Sequence, residues 1–168
     1  MKRILILLSA IGLTLFPSCD WKTGCTDCNA INFEPDARKD NGRCEYQNQE
    51  NAGKYSIVDS ITGPPDLEWE YRSYEIELAK LECHPNQLIL LNYANTMGIE
   101  YDLLKRVQLD LDDDQFTIPA QETDNLKIRQ SEGFFRNDSI FFSFEYENAF
   151  GEVFYGGCAG LKQATEID

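Results

Sequence analysis

From residue 54 onward, apolar residues recur at every second position in a series of short runs. In one of these runs Val107, Leu109 and Leu111 alternate with polar residues, and the acidic run 112–114 follows. An amphipathic helix would repeat about every 3.6 residues, whereas a spacing of two places side chains on one face of a β-strand. The pattern therefore predicts strands with one packed face and one face in water.

Turn-forming residues such as Gly63-Pro64-Pro65 and Arg136-Asn137-Asp138 separate the runs. Roughly seven to nine short strands at this hairpin spacing are typical of antiparallel all-β folds. We therefore predict a small antiparallel up-and-down barrel or a sandwich over residues 51–162, followed by a tail at 163–168. A short helix is compatible with Tyr101–Arg106. The predicted strands centre on residues 55–59, 69–78, 88–91, 107–111, 116–118, 126–128, 140–146 and 153–155.

The beginning of the chain has a different pattern. Lys2 and Arg3 precede the apolar stretch Ile4–Phe16, which is too short to span a bilayer and is not followed by a stop-transfer pattern. We interpret residues 1–18 as a secretory signal peptide.

A cysteine follows this segment directly. Ser18-Cys19 resembles the lipobox of bacterial lipoproteins, in which signal peptidase II cleaves before a cysteine that carries a diacylglyceryl group. Phe16 and Pro17 stand where that family usually has an aliphatic and a small residue. The resemblance implies that Cys19 is lipidated and that the protein is anchored in the cell outer membrane, in the periplasm or at the surface. Two or three acyl chains anchor stably, because each buried methylene contributes about 0.8 kcal/mol.

Residues 19–50 form a tether that contains a turn-rich cysteine motif, GCTDCNAINFEPDARKDNGRCEY, from Gly24 to Tyr46. This motif resembles the GCTDPxAxNYNPxAxxDDGSCxY module of secreted and surface proteins of Bacteroidota. The resemblance implies a disulfide between Cys25 and Cys44, which would close a loop of about twenty residues and stabilise it by roughly 3 kcal/mol. Cys28 stands where the module has proline, so its pairing is open.

The other cysteines allow several pairings. Cys83 lies at a predicted strand end and Cys158 near the close of the β-domain, so we expect a bridge that pins the last strand. Cys28 is then the one cysteine without an assigned partner, and we refer to it as the odd thiol. It could pair between molecules, stay buried, or replace one of the other cysteines in a different connectivity. Cys25 and Cys28 also form a C-x-x-C, but the strand and helix of a thioredoxin-like site are missing, and zinc would need a second pair.

Three carboxylates of the motif, Asp27, Asp36 and Asp40, are weak candidates for calcium. Calcium prefers oxygen ligands, but the spacing here does not match the EF-hand loop. We therefore favour Asx turns and caps for these side chains and predict no metal and no cofactor.

The β-domain itself is similar to small barrel-like, lipocalin-like domains of Bacteroidota lipoproteins. In those domains a G-x-Y strand opens the fold, an I-P-x-Q element lies past the middle and a cysteine closes it. The corresponding residues here are Gly53-Lys54-Tyr55, Ile118-Pro119-Ala120-Gln121 and Cys158. The resemblance implies a fold and does not imply a function.

Charge narrows the range of partners. The chain of 168 residues has a formal net charge of −14, and removal of residues 1–18 with their two bases makes it more acidic. Such a chain is repelled by phosphate backbones and anionic headgroups, so we expect no nucleic-acid partner and a polypeptide that stands off the membrane.

Few residues are candidates for catalysis. The single histidine, His84, lies between Cys83 and Pro85 and fits a turn at a strand end. The chain has none of the common hydrolase, metalloprotease, P-loop or dinucleotide motifs. The carboxylate pairs Glu68/Glu70, Glu75/Glu77 and Asp110/Asp112 have i,i+2 spacing, which predicts that each pair shares one solvated face of a strand.

Two tripeptides, Asp59-Ser60-Ile61 and Asp138-Ser139-Ile140, resemble the D-[S/T]-aliphatic acceptor of periplasmic O-glycosylation in Bacteroidota. Ser60 and Ser139 are therefore candidate glycosylation sites, which we expect where strands meet turns.

Together these observations predict a cell-envelope lipoprotein whose β-domain is a binding or structural module for a protein or saccharide partner. One alternative is a lipocalin-like carrier of a small apolar or saccharide ligand, which requires a cavity at one barrel end. A second alternative is a carboxylate-based hydrolase, which requires two converging carboxyl groups. A binding module instead predicts an exposed aromatic or concave patch.

Overall fold

A computed structural model describes residues 21–46, 49–64, 68–96, 106–123 and 125–164 of the chain. Cys19, the predicted signal peptide and residues 101–105 of the predicted helix lie outside this part. No helix within it is long and apolar enough to cross a membrane. Its regular elements are two short 3₁₀ turns, Gln49–Asn51 and Tyr93–Asn95, and the strands β1 (Thr23–Gly24), β2 (Lys39–Asp40), β3 (Gly53–Thr62), β4 (Glu70–Lys80), β5 (Gln87–Leu91), β6 (Val107–Asp112), β7 (Gln115–Ile118), β8 (Gln121–Thr123), β9 (Leu126–Ile128), β10 (Ser131–Arg136), β11 (Ser139–Asn148) and β12 (Val153–Lys162).

Eight of these strands form a closed antiparallel barrel. The strands β3 to β7 pair in sequence order, β12 pairs with β3, and β11 pairs with β12. The ring closes through β10, which pairs with β7 on one side and with β11 on the other. This arrangement confirms the predicted antiparallel all-β fold and makes it a barrel. The β8–β9 hairpin extends the far end of β11.

The inside of the barrel is filled by side chains. Along β3 the residues Tyr55, Ile57, Asp59 and Ile61 are buried at every second position, which is the period predicted from the sequence, and Thr62 is buried at the end of the strand. An eight-stranded barrel is just wide enough for such side chains to fill it. The other large, fully buried side chains of this core are those of Ile76, Leu78, Leu88, Leu90, Tyr93, Leu109, Phe116, Ile118 and Phe144.

The Ile118-Pro119-Ala120-Gln121 element maintains pairing where proline ends β7. Proline lacks an N–H, so it cannot continue the backbone ladder. The Gln121 side chain takes over this pairing with β6: its Oε1 accepts a hydrogen bond from the Gln108 N–H at 2.9 Å. Its Nε2 donates to the carbonyl oxygens of Gln108 and Pro119, at 3.1 and 3.0 Å. The motif therefore has a structural role in the wall of the barrel.

The cysteine motif folds beside the barrel and is covalently attached to it. Cys25 is bonded to Cys44, the pairing that the module resemblance implied. The second bridge joins Cys28 to Cys83 in the turn between β4 and β5. The Cys83 N–H also donates a hydrogen bond to the Asn29 side-chain oxygen at 2.9 Å. Both contacts fix the motif to one end of the barrel.

The predicted Cys83–Cys158 bridge is therefore wrong, and Cys28 is not the odd thiol. Cys158 is free and buried, because its side chain points into the barrel from the middle of β12. Cys83 lies in an exposed turn and pairs with Cys28, the residue that replaces the proline of the module. Sequence order alone could not show that this turn lies beside the motif.

Candidate functional site

An open groove of about 850 Å³ runs along the outer wall of the barrel, over β12. Its floor consists of the outward positions Gly157 and Ala159, which contribute almost no side chain. Ala159 pairs with Phe141 on β11 and with Val58 on β3, and both of these outward residues are larger. Two small residues between larger neighbours therefore create the depression.

The walls of the groove are aromatic and aliphatic. On one side the Phe134 and Phe141 rings are stacked, with centroids 4.9 Å apart. On the other side lie Val58 and Tyr71, which are 57% and 78% exposed. A β-barrel normally presents polar residues on its wet face, so this exposed apolar surface requires an explanation beyond folding.

Apolar side chains continue beyond both ends of the groove on β12. Tyr155 lies at one end, and its ring makes an edge-to-face contact with Trp69 at a centroid distance of 6.3 Å. Leu161 lies at the other end and is 64% exposed. At about 3.3 Å per residue, the outward face of the strand from Tyr155 to Leu161 extends for about 20 Å.

Polar groups border the apolar floor and walls. Ser60, Thr117 and Ser143 provide hydroxyl groups, and Asp112 and Glu132 provide exposed carboxylates. None of the residues that line the groove is lysine, arginine or histidine. The surface is therefore apolar in the middle and acidic at its border.

A second, more polar depression of about 780 Å³ continues from the groove, and the two share Gln115 and Phe134. It contains both signs of charge, with Arg136 and Lys162 beside acidic residues. The Arg136 guanidinium carbon lies 5.7 Å from the centroid of the Phe134 ring. This contact shows that an aromatic wall of the groove already accepts a cation.

A buried ionic cluster lies inside the barrel, beneath the groove. The Asp59 carboxylate is fully buried and accepts hydrogen bonds from Arg72 and from the Tyr74 hydroxyl, the latter at 2.9 Å. Burial is the main cause that raises the pKa of the Tyr74 phenol and of the Cys158 thiol, and the nearby Asp59 charge adds to it. The charged groups of the cluster are paired with one another beneath the wall that carries the groove.

Of the three carboxylates considered for calcium, Asp27 and Asp40 make internal hydrogen bonds and Asp36 faces a lysine. Asp27 accepts from the Asn29 N–H at 2.9 Å and from the Tyr46 hydroxyl at 2.7 Å, and these hydrogen bonds lower the pKa of its carboxyl group. Asp40 accepts from the Gly42 N–H at 3.0 Å, and Asp36 lies 3.8 Å from the Lys22 ammonium. The described residues contain no group of three or more histidine, cysteine or carboxylate side chains that could hold a metal ion.

The remaining candidates are distributed over the molecule. His84 lies in the β4–β5 turn, as predicted, with its Nδ1 2.8 Å from the Glu82 carbonyl oxygen. Ser139 follows the β10–β11 turn, whereas Ser60 does not lie at a turn, because it is in the paired part of β3 opposite Gly157 and Tyr71.

Of the three carboxylate pairs, Glu75/Glu77 and Asp110/Asp112 lie on the outward face of their strands, whereas Glu68/Glu70 is on the inward-facing side at the exposed start of β4, where Glu70 pairs with Ile61. Their members are half-buried or exposed, and of the six only Asp112 lines the groove. Asp110 accepts hydrogen bonds from the Gln87 and Gln108 side chains at 2.9 and 3.0 Å. The pairs therefore do not assemble into a shared cleft.

The groove itself was not predicted residue by residue. Phe134 and Phe141 were not singled out from the sequence, and both face outward on neighbouring strands. The available signal was Gly157 and Ala159 at outward positions of a strand, where a glycine often marks a close approach of another molecule.

Comparisons with known proteins add little to the geometry. No family model and no curated protein matches this chain. A solved structure with some likeness is that of the S-type phycobiliprotein lyase CPES from Guillardia theta, at 7% identity and a TM-score of 0.44. The alignment covers 70% of this chain and 91% of that one. The barrel is established here by its own strand pairing.

Proposed function

We propose that this chain is a lipid-anchored protein of the bacterial cell envelope whose β-barrel is a binding module. The observation that carries this proposal is the open aromatic groove over β12, lined by Val58, Tyr71, Phe134 and Phe141. Contiguous exposed apolar surface with a polar border is typical of interaction sites on proteins. The groove is the binding surface of the module.

The position of the free space favours a binding surface over a carrier. The inner faces of the strands are occupied by packed side chains such as Tyr55, Phe116 and Phe144. The open volume lies on the outside of the wall and is accessible along its length. A ligand there is held against the protein and is not enclosed by it.

The cysteine motif supports attachment at one end of the barrel. Its bridge to Cys83 joins it to the β4–β5 turn, and the Leu111 N–H donates to the Asn86 carbonyl oxygen of that turn at 2.8 Å. The β6–β7 turn follows Leu111, so both turns lie at the same barrel end. Cys19 precedes the motif in the sequence, and the groove lies on the side wall of the barrel.

Two measurements test the two halves of the proposal. Cells that express the full chain are labelled with palmitate, and we expect the label on the wild type and on Cys158→Ala but not on Cys19→Ala. Labelling of Cys19→Ala would overturn the anchor.

The groove is tested with Nile red, an uncharged apolar dye, on the purified full chain in detergent below its micelle concentration. We expect the dye fluorescence to rise with the wild type and to be lost with Gly157→Phe, which fills the floor. Phe150→Ser is the matched control, because Phe150 is 89% exposed but does not line the groove. Equal dye binding by the wild type and Gly157→Phe would overturn the groove as the binding surface.

A further inference from the structure

We propose that the groove over β12 binds an extended segment of a partner protein in which apolar side chains alternate with lysine or arginine. This inference rests on the proposed function and names the partner chemistry of the same surface. It rests on three features of the molecule: the length of the apolar surface, the closed barrel beneath it and the sign of the charge around it.

The groove has the dimensions of a short extended peptide. Together with Tyr155 and Leu161, which lie beyond its two ends on β12, the groove offers an apolar surface about 20 Å long. An extended chain spans about 3.3–3.6 Å per residue, so roughly six residues fit. Alternate side chains of such a segment point to the same side. Three of them would therefore meet the floor at Gly157 and Ala159, between the walls.

The closed barrel determines how such a segment is held. Each of the eight barrel strands is hydrogen-bonded to a strand on both sides, and β12 itself pairs with β11 and β3. A partner cannot add a strand to this part of the sheet through backbone hydrogen bonds. Recognition therefore depends on side chains, which suits a groove with aromatic walls.

The charge of the border determines which side chains fit. Asp112 and Glu132 are exposed at the groove, and no lysine, arginine or histidine lines it. The ring of Phe134 already has the Arg136 guanidinium above it. That ring also stacks on Phe141, so the carboxylates at the border are the groups that favour lysine or arginine beside the apolar residues of the segment.

The same charges disfavour the other occupants. A second copy of the chain, related by a two-fold axis at this surface, would bring the Asp112 and Glu132 carboxylates of both copies together. An anionic lipid surface would be repelled by a chain of net charge −14. A neutral saccharide is compatible with aromatic walls but gains nothing from the acidic border.

The test uses two blocked hexapeptides, one with alternating lysine and leucine and a twin with glutamate in place of every lysine. Binding to the full chain is measured by calorimetry at low and at high salt. We expect binding of the lysine peptide only, weakened by salt. The combined substitution Asp112→Asn and Glu132→Gln should weaken it about threefold to tenfold. Glu122→Gln, an exposed acid outside the groove, is the matched control.

The outcomes separate this inference from the proposed function. Equal binding of both peptides, or of the lysine peptide to Gly157→Phe, would overturn the inference. If neither peptide binds but Nile red does, the groove is a binding surface and the charged segment is wrong. Binding of a neutral β-glucan hexasaccharide in place of the peptides would assign a saccharide. A dimer that Gly157→Phe dissociates would assign a second copy. If the wild type binds neither peptide nor Nile red, the proposed function of the groove is wrong as well.

Discussion

Arg72 lies opposite Asp59 on neighbouring strands and donates two hydrogen bonds to its carboxylate, from Nε at 3.1 Å and from Nη2 at 2.6 Å. The carboxylate is fully buried, and the arginine side chain is 19% exposed. Two parallel hydrogen bonds between these groups form the strongest kind of ion pair in proteins. This pair joins β3 to β4 beneath the outer groove.

Removal of one member should be far more costly than removal of both. Arg72→Met leaves the Asp59 carboxylate buried without its cation, so we expect a loss of about 3–5 kcal/mol in the free energy of unfolding. The double variant Asp59→Leu with Arg72→Met should recover most of that loss, since apolar residues of similar volume replace the pair. Urea unfolding of the three proteins measures both values. A loss well below 1 kcal/mol for Arg72→Met would contradict the buried pair.

The disulfide between Cys28 and Cys83 should stabilise the protein more than its exposed position suggests. It joins residues 55 positions apart, for which loop-closure entropy gives about 4 kcal/mol. We expect Cys28→Ser with Cys83→Ser to lower the melting temperature while the Cys25–Cys44 bridge remains. Peptide mapping without reduction should recover Cys28 linked to Cys83, with Cys158 alkylated only after unfolding. A Cys25–Cys28 or Cys83–Cys158 peptide would show a different connectivity.

Two adjacent glycines of β12 should respond to substitution in opposite ways. A methyl group at Gly156 would overlap the Ser60 carbonyl oxygen and the Phe144 ring, so Gly156→Ala should destabilise the barrel by about 1–3 kcal/mol. At Gly157 the nearest atom to such a methyl group is the Phe142 carbonyl oxygen at 3.9 Å. Gly157→Ala should therefore be neutral, or stabilising by a few tenths of a kcal/mol. Thermal unfolding measures the stability of both variants. An equal loss of stability in the two would contradict the assignment of Gly156 to the inner and Gly157 to the outer face of the wall.

Four tyrosines, three of them buried and Tyr74 half-buried, should make stability fall at alkaline pH. Burial raises the pKa of the phenols of Tyr55, Tyr74, Tyr93 and Tyr146, that of Tyr55 to about 12. In the unfolded chain these phenols ionise near pH 10, so above this pH the unfolded state releases protons that the folded state keeps. Each tyrosine should lower the free energy of unfolding by up to about 1.4 kcal/mol per pH unit, and for Tyr55 this fall ends near pH 12. Urea unfolding at several pH values measures the slope, which Tyr55→Phe should reduce. An unchanged slope in that variant would show that Tyr55 is accessible in the folded protein.

The alternation predicted most of the strands because it directly reports which side is packed, but it missed β10 and the short β8 and gave only the beginning of β12. Tyr55 and Ile57 were separable from their exposed neighbours on that basis, and the turn at His84 followed from its flanking residues. The closure of the barrel was not determined, since a sandwich has the same alternation. It depends on β10 pairing with both β7 and β11, which no local pattern encodes.

The parts that sequence could not predict depend on neighbours distant in the chain. Cys83 could be assigned only when its turn was seen beside Cys28. The acceptor-like Asp59-Ser60 pair could not be recognised as interior strand without Arg72 opposite it. The groove needed the register of β11, β12 and β3, because Phe141 and Val58 become walls only on either side of Ala159.

The Cys28–Cys83 bridge also decides how the molecule responds to a mechanical load. A pull on the amino-terminal side of Cys28 passes through the sulfur atoms into the β4–β5 turn and bypasses residues 29–82. The first barrel strand, β3, lies inside this bypassed loop, so tension does not peel it away from its neighbours one hydrogen bond at a time. The load instead enters beside β5, which pairs with β4 and β6. The disulfide therefore keeps the tension away from the first strand of the barrel.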